Sequence, residues 1–156
     1  MAGSRRASRS GFSLLELASL LVILALLAVA GISRFGSSTV QTLSAEGFAR
    51  RLALDLVQAR RRTIATGDNH YLQLAPSAGS VTTYVMYRRA DGGDAVVEQL
   101  RTVPAGVTCS ASHATLEFDF DGAALGAYSV TVTAPTRSWT VSTVAATGRV
   151  QTSTSP

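Results

Sequence analysis

The spacing of hydrophobic residues divides the chain into three parts. Residues 17–32 carry no charge and are mostly Leu, Val, Ile and Ala, and Phe12 to Leu15 extend this apolar character backward across Glu16. Residues 34–67 have apolar side chains at steps of three and four, which predicts an amphipathic helix. Residues 68–156 alternate between short turns, which predicts antiparallel strands. The predicted fold class is α+β, with a long N-terminal helix packed on a C-terminal antiparallel sheet or sandwich.

The first apolar segment is long enough to span a membrane. A helix from Phe12 to Ile32 would rise about 31 Å, close to the roughly 30 Å hydrocarbon core of a bilayer. Arg5, Arg6 and Arg9 precede it with no acidic residue among them. The N-terminus is therefore expected in the cytoplasm and the C-terminal domain outside. We predict one membrane-spanning helix over residues 12–33.

A cleaved secretory signal peptide is the main alternative to a retained anchor, because Ala28 to Gly31 offers small residues at a suitable place. The apolar run is longer than the usual signal-peptide core of about 7–15 residues, and Glu16 interrupts its start. A carboxylate at the edge of a bilayer helix is costly without a partner. Glu16 is therefore either a functional group or an interfacial, solvated side chain.

The segment Gly11-Phe-Ser-Leu-Leu-Glu16 resembles the class III leader of type IV prepilins and type II secretion pseudopilins, whose common form has Thr in place of Ser13. The resemblance implies that a prepilin peptidase in the inner membrane removes residues 1–11. The cut would lie between Gly11 and Phe12, and the new N-terminal Phe12 would be methylated. It also implies that Glu16 pairs with the N-terminal amine of a neighbouring subunit in an assembled fibre.

The second half of the helix is predicted to place one face on a core. The weak helix formers from Gly36 to Thr39 mark a stretch where we expect the helix to fray or bend. Gly67 and Asp68 are expected to end the helix. The residues of the predicted buried face are Ala45, Phe48, Ala49, Leu52, Leu56, Ala59 and Thr63.

The cluster Arg60-Arg61-Arg62 near the end of this helix has two interpretations. These cations either form a solvated helix end that interacts favourably with the helix dipole, or they contact an anion, a lipid headgroup or DNA.

The strands of the β domain are predicted from alternation and turn residues. A hairpin joins residues 70–75 and 81–88, and another strand follows over residues 95–103. Thr115 to Asp121 alternates, and two further strands precede a short last strand that begins at Gly148-Arg149-Val150. The residues expected to face the core are Leu116, Phe118 and Phe120, then Tyr128, Val130 and Val132, then Trp139, Val141 and Thr143.

Three later segments resemble the GspH/FimT branch of the pilin superfamily. Residues 52–67 resemble its L-x-x-D-L-x-x-A-R-x-x-A-I-x-x-G segment, with Asp55 and Arg60 at the two charged positions. Phe118 to Gly122 resembles a turn of that branch, and Thr147 to Val150 resembles its terminal strand with a Gly-Arg pair.

Candidate chemical groups are few. Cys109 and His113 stand four residues apart in a Ser/Ala-rich strand or loop, where that spacing would bring the two side chains together only if the segment were helical, and no third catalytic group accompanies them. A zinc site would need further ligands, for which only His70 and carboxylates are present.

Two acidic stretches could attract calcium, which prefers oxygen ligands. They are the row of Glu117, Asp119 and Asp121 and the turn that holds Asp91 and Asp94, and a solvated strand face is the simpler interpretation of the row. We predict that the chain is not an enzyme and needs no cofactor, and that it is a substrate of the prepilin peptidase.

The net charge of the chain is +4, but residues 33–156 carry 11 Arg and 9 acidic side chains, a net charge of only +2. This weak balance does not indicate a nucleic-acid partner. In DNA-binding relatives a second basic residue follows the Gly-Arg pair two places later, where this chain has Gln151. Arg149, as the arginine of this pair, is therefore considered for DNA contact beside the cluster Arg60-Arg61-Arg62.

The first hypothesis is a minor pseudopilin of a type II secretion system, anchored by a single span in the inner membrane with its C-terminal domain in the periplasm. Its expected partners are the prepilin peptidase, other pseudopilins or pilins bound through the N-terminal helix, and secreted cargo. The alternative is a FimT-type minor pilin of a type IV pilus that contributes to pilus biogenesis or DNA uptake. A third possibility is a signal-anchored extracytoplasmic β domain without a fibre.

Overall fold

The computed structural model describes residues 13–77 and 79–156, apart from the side chains of residues 32–35 and 77. One helix, α1, runs over Leu14–Thr66. The chain divides into two compact units between Ser37 and Ser38, so that α1 belongs to both.

The first unit contains the apolar part of α1. Every side chain from residue 14 to residue 31 is exposed, and this part is long and apolar enough to cross a membrane. The helix is unbroken through Gly36 to Thr39, so the expectation of fraying there was wrong. Helix propensity is a weak preference of about 1 kcal/mol or less per residue, and the helical segments on both sides override it.

The second unit, Ser38–Pro156, is built on the other half of α1. The seven residues predicted to face the core, from Ala45 to Thr63, are all buried, which confirms the predicted face. The helix ends as expected before Gly67, whose φ of 75° reverses the chain at little cost because glycine has no side chain.

Within the described part of the chain, nine antiparallel strands follow the helix and form two sheets. The first sheet has the order β3-β2-β1-β6, with β4 also paired to β2, and the second has the order β5-β7-β8-β9. A 3-10 turn, Ala145–Thr147, connects β8 to β9. The strands are β1 (His70–Ser77), β2 (Ser80–Arg88), β3 (Ala95–Val96), β4 (Arg101–Thr102), β5 (Thr108–Ala111), β6 (Thr115–Phe118), β7 (Ser129–Thr133), β8 (Ser138–Val144) and β9 (Arg149–Ser155).

The predicted β1–β2 hairpin is confirmed, but the single strand expected over residues 95–103 is two short strands, β3 and β4. Between them the chain leaves the sheet, and the Glu98 carboxylate accepts hydrogen bonds from Gln58 and Arg62 of α1. The last strand begins at Arg149 as predicted and is seven residues long rather than short.

The inward face of β6 is shorter than predicted. Leu116 and Phe118 are fully buried, whereas Phe120 is 62% exposed, so its assignment to the core was wrong. The strand ends at Phe118, and a tight turn follows in which the Gly122 amide donates to the Asp119 carbonyl. This turn breaks the alternation on which the prediction depended.

The second sheet has two faces of opposite character. The predicted inward residues of β7 and β8, from Tyr128 to Val132 and from Trp139 to Thr143, are buried at alternate positions. The outer face carries hydroxyl groups in rows that cross all four strands. The rows are Thr108, Thr133, Ser138 and Ser155, and then Ser110, Thr131, Thr140 and Ser153.

Arg60 joins α1 to the turn after β6 and to the start of β9. Its Nε donates a hydrogen bond to the Gly122 carbonyl over 2.9 Å. A Cβ on Gly148 would lie 2.0 Å from that same carbonyl oxygen and 2.9 Å from the Arg60 Nε, and Gly148 has a φ of 60°. Only glycine leaves this close approach open.

Arg89, just after β2, ties that strand to β6. Its guanidinium pairs with Glu117 and Asp94 at 2.8 Å each and lies 4.4 Å from the centre of the Tyr71 ring. Hydrogen bonding from Arg89 lowers the pKa of Glu117, and hydrogen bonding from Tyr71 lowers the pKa of Asp94. Burial and the bond to Asp94 raise the pKa of Tyr71 to about 12.

We expect Gly148→Ala to destabilise the domain by about 2–4 kcal/mol, because the new methyl group meets backbone and the positive φ disfavours alanine. The matched control is Gly92→Ala, since a Cβ at Gly92 meets nothing within 4 Å and its φ is not positive. Thermal unfolding of the two variants measures the difference, and equal melting temperatures would contradict the close approach.

The Glu117 and Asp94 carboxyls should make stability depend on acid pH. Their pKa values are lower in the folded protein than the ordinary values of 4.5 and 3.8, so their contribution is complete above about pH 5 and is lost as the pH falls through the folded pKa values. Arg89→Met should flatten this fall in the free energy of unfolding, measured by urea titration between about pH 7 and pH 2.5. The exposed Arg137→Met serves as the control and should keep the slope of the parent chain.

Candidate functional site

Glu16 lies in the first turn of α1, where Ser13 begins the helix. The amides of Glu16 and Leu17 donate to the Ser13 carbonyl over 3.0 and 3.1 Å. Ser13 and Glu16 have the Ser-x-x-Glu spacing of a capping box, and a carboxylate in this turn interacts favourably with the helix dipole. The sequence prediction for Glu16 was based on its position in an apolar segment. It missed the capping-box spacing of Ser13 and Glu16, although the sequence alone shows that spacing.

The surroundings of Glu16 are apolar and exposed. Leu14, Leu15 and Leu17 are all more than half exposed. Over residues 13–77 and 79–156, the Glu16 carboxylate has no hydrogen bond or ion pair, while its backbone carbonyl accepts a bond from Ser19 over 2.9 Å. The carboxylate is therefore open to a partner from another molecule. Gly11 and Phe12, the predicted cleavage and methylation positions, lie outside the described residues.

The arginines at the end of α1 do not act as one group: the cluster as a whole is neither a solvated helix end nor a site for an external anion. Arg60 binds the Gly122 carbonyl, and Arg62 pairs with Glu98 over 2.7 Å, so both are occupied within the domain. Arg61 is exposed, and its side chain forms no hydrogen bond or ion pair within the described part of the chain. Arg149 is exposed as well; its backbone amide donates to the Thr147 hydroxyl, and its side chain forms no hydrogen bond or ion pair among the described residues. Arg61 and Arg149 are thus open to an external anion.

Cys109 and His113 do not form a catalytic pair. Cys109 lies within β5 at 1% exposure, and burial raises the pKa of its thiol to about 11, so it stays protonated at neutral pH. His113 is exposed beyond the end of β5, where it bonds Ser112 and meets the edge of the Tyr128 ring. His70 is buried in β1 and bonds the Asp68 carbonyl.

The two acidic stretches considered for calcium are engaged in local contacts. Glu117 and Asp94 both bind Arg89, and the Asp119 and Asp121 carboxylates accept amide bonds from Phe120 and Ala123. No group of three or more His, Cys, Asp or Glu side chains with the geometry of a metal site occurs among the described residues.

Asp55 has a structural role that its place in the sequence motif did not reveal. It lies buried on α1 and accepts a hydrogen bond from the Tyr84 hydroxyl of β2 over 2.8 Å. Arg51 lies 3.4 Å from the same carboxylate and Arg101 of β4 lies 3.8 Å from it. Asp55 therefore fastens the first sheet to the helix, while Arg60 fastens the turn after β6 to the helix. The three segments singled out in the sequence, residues 52–67, 118–122 and 147–150, approach one another through Arg60, Gly122 and Gly148. They form structural contacts and not a catalytic site.

No protein-family model matches the sequence, and no curated protein matches it. Solved structures do share its fold. One crystal form of the type IV minor pilin FimU from Pseudomonas aeruginosa is 16% identical, with a TM-score of 0.57, over 69% of this chain and 91% of that chain. A second crystal form is 17% identical, also with a TM-score of 0.57, over 76% and 92%.

The minor pseudopilin EpsH from the type 2 secretion system of Vibrio cholerae is 14% identical, with a TM-score of 0.54, over 72% of this chain and 95% of that chain. Identities this low carry information about the fold and not about function. The chain therefore has the pilin-like α+β fold that its sequence pattern predicted, with one long N-terminal helix packed on antiparallel sheets.

Proposed function

We propose that the protein is a minor pseudopilin of a type II secretion system, with a structural rather than a catalytic role. The observation that carries the proposal is Glu16, a carboxylate without a partner among the described residues, at the start of an exposed apolar helix on a pilin-like domain. A minor pilin and a minor pseudopilin share this fold, which supports an assembling subunit.

The proposed role of Glu16 follows from the cost of its charge. Once the prepilin peptidase has cut after Gly11 and methylated Phe12, the new α-amine of each subunit is a cation close to the membrane. Pairing that amine with Glu16 of a neighbour removes both charges from contact with lipid as the helices bundle. Loss of one partner leaves the other charge uncompensated in a low-dielectric setting.

The exposed apolar surface of α1 serves both stages of this process. Before assembly it spans the inner membrane, with the arginine-rich N-terminus in the cytoplasm and the β domain in the periplasm. In the fibre the same surface packs against the helices of other pseudopilins. The folded domain then presents its own surface to neighbouring subunits or secreted cargo.

A FimT-type minor pilin of a type IV pilus is the second candidate. The exposed Arg149 beside Gly148 and the exposed Arg61 favour it, since cations without partners can release counterions from DNA phosphates. The weak net charge beyond residue 33 and the glutamine at position 151 favour the pseudopilin instead.

Replacement of Glu16 should impair assembly and leave insertion intact. In cells that carry the assembled machine, Glu16→Ala should still fractionate with the membrane, whereas its recovery with other pilin-like subunits after cross-linking should fall at least about tenfold. Glu46→Ala removes a carboxylate from an exposed helical ion pair and is the matched control. Equal recovery of both variants would contradict the role of Glu16.

Processing can be read directly from the mature N-terminus. Mass spectrometry of the membrane-bound protein should find a chain that begins at methylated Phe12. An intact leader would instead support the signal-anchored β domain, and a chain that begins near Gly31 would support a cleaved signal peptide.

DNA binding separates the two fibre hypotheses. For the full chain in detergent micelles, gel-shift titrations at low salt should detect no binding that depends on Arg149. Salt-sensitive binding that Arg149→Ala abolishes and Arg137→Ala preserves would favour the type IV pilus alternative.

A further inference from the structure

The outer edge of β9 carries backbone groups that no described strand covers. Within the described residues, β9 pairs only with β8, along the register from Val144–Arg149 to Ser138–Ser155. Natural edge strands are usually protected by proline, inward charges, bulges or short length. β9 is seven residues long with an uninterrupted register, and beyond Arg149 it contains only Val, Gln, Thr and Ser. This edge is therefore suited to pairing with another strand.

An apolar groove runs beside this edge. It has a volume of about 490 Å³ and lies between α1 and the inward side of β9. Leu54 and Val57 line it from the helix, and Val150, Thr152 and Thr154 line it from the strand, with Trp139 of β8 behind them. Leu54 is 64% exposed although it stands on the half of α1 that packs in the core.

The geometry of the edge specifies an extended occupant. Only a strand can satisfy a row of strand amides and carbonyls, and its side chains must alternate between two faces. One set would enter the groove against Leu54 and Val57 and should be apolar. The other set would continue the outer hydroxyl rows of the sheet and should be small and polar.

Positive charge at one end of the groove indicates that the bound segment should be acidic at that end. Gly148 lies against Arg60, so the first residues of β9 lie beside the end of α1. Arg61 stands one turn beyond Val57 on α1 and lines an adjoining depression that shares Leu54 and Val57 with the groove. Arg149 begins β9 on the opposite face of the strand. Neither side chain has a partner within the described residues. At the far end, Arg50 is already paired with Glu46 over 2.6 Å.

We propose that the β9 edge and its groove bind an extended segment of another protein, apolar at alternate positions and acidic at the end beside Arg61 and Arg149. The added strand extends the second sheet to five strands, and its acidic end neutralises the two free arginines. This surface is independent of the proposed assembly through Glu16, because it lies wholly within residues 38–156 and a peptide can occupy it in the absence of a fibre.

The test uses the full chain in detergent micelles and a fluorescent peptide with the sequence Ser-Val-Thr-Val-Thr-Val-Asp-Asp. Fluorescence anisotropy should show saturable binding beyond that to empty micelles, and hydrogen exchange should slow at β9 amides. The same peptide methylated on alternate backbone nitrogens should not bind, because it has lost donors needed for strand pairing.

Substitutions in the groove and at its positive end test whether the peptide binds this surface. Leu54→Asp should weaken binding at least about tenfold. The pair Arg61→Glu with Arg149→Glu should weaken it about fivefold or more and reverse its salt dependence, because the new carboxylates repel the acidic end of the peptide. The matched controls, Leu125→Asp and Arg137→Glu, replace exposed residues elsewhere and should bind as the parent does. Melting temperatures establish that each variant is folded.

Several results would overturn the proposal. They are the absence of binding, equal binding of the methylated peptide, and equal binding by Leu54→Asp. Self-association of the full chain that protects β9 and competes with the peptide would identify a second copy as the occupant and would also overturn it.

Discussion

The burial of one narrow face of α1 is the interaction on which the rest of the domain depends. Ala45, Ala49 and Ala59 allow strands to approach the helix closely, while Leu52 and Leu56 fill the space between them and are essentially inaccessible to solvent. Truncation of such a leucine typically costs about 2–5 kcal/mol. Both sheets contribute to the same core cluster as the helix, so helix and sheets share one hydrophobic core.

Polar contacts fix the position of this helix along its axis. Apolar packing is not directional and would tolerate sliding by part of a turn. The Tyr84–Asp55 bond on one side and the Arg60–Gly122 bond on the other define a single register. Asp55, Arg60, Gly122 and Gly148 thus hold the helix, the turn after β6 and the start of β9 together.

The periodic features of the chain could be predicted from sequence, and the features that depend on distant partners could not. The buried face of α1 and the inward residues of β7 and β8 follow from spacing alone. Phe120 was misassigned because the strand ends at Phe118 and a turn closed by the Asp119 and Asp121 carboxylates follows, which interrupts the alternation. The strand over residues 95–103 was interrupted because Glu98 turns toward Gln58 and Arg62. At the candidate site, Glu16 could be recognised from its unusual place in an apolar run, whereas the β9 groove exists only once the helix and strand are brought together.

The hydroxyl rows on the outer face of the second sheet have a thermodynamic consequence. This face exposes many Ser and Thr side chains and little hydrocarbon, so a contact made through it would change the heat capacity only slightly. Contacts through the apolar half of α1 or the groove beside β9 would lower the heat capacity strongly, because they remove apolar surface from solvent. The temperature dependence of the binding enthalpy, which measures this change in heat capacity, therefore tells whether a partner binds the hydroxyl-rich outer face or an apolar surface.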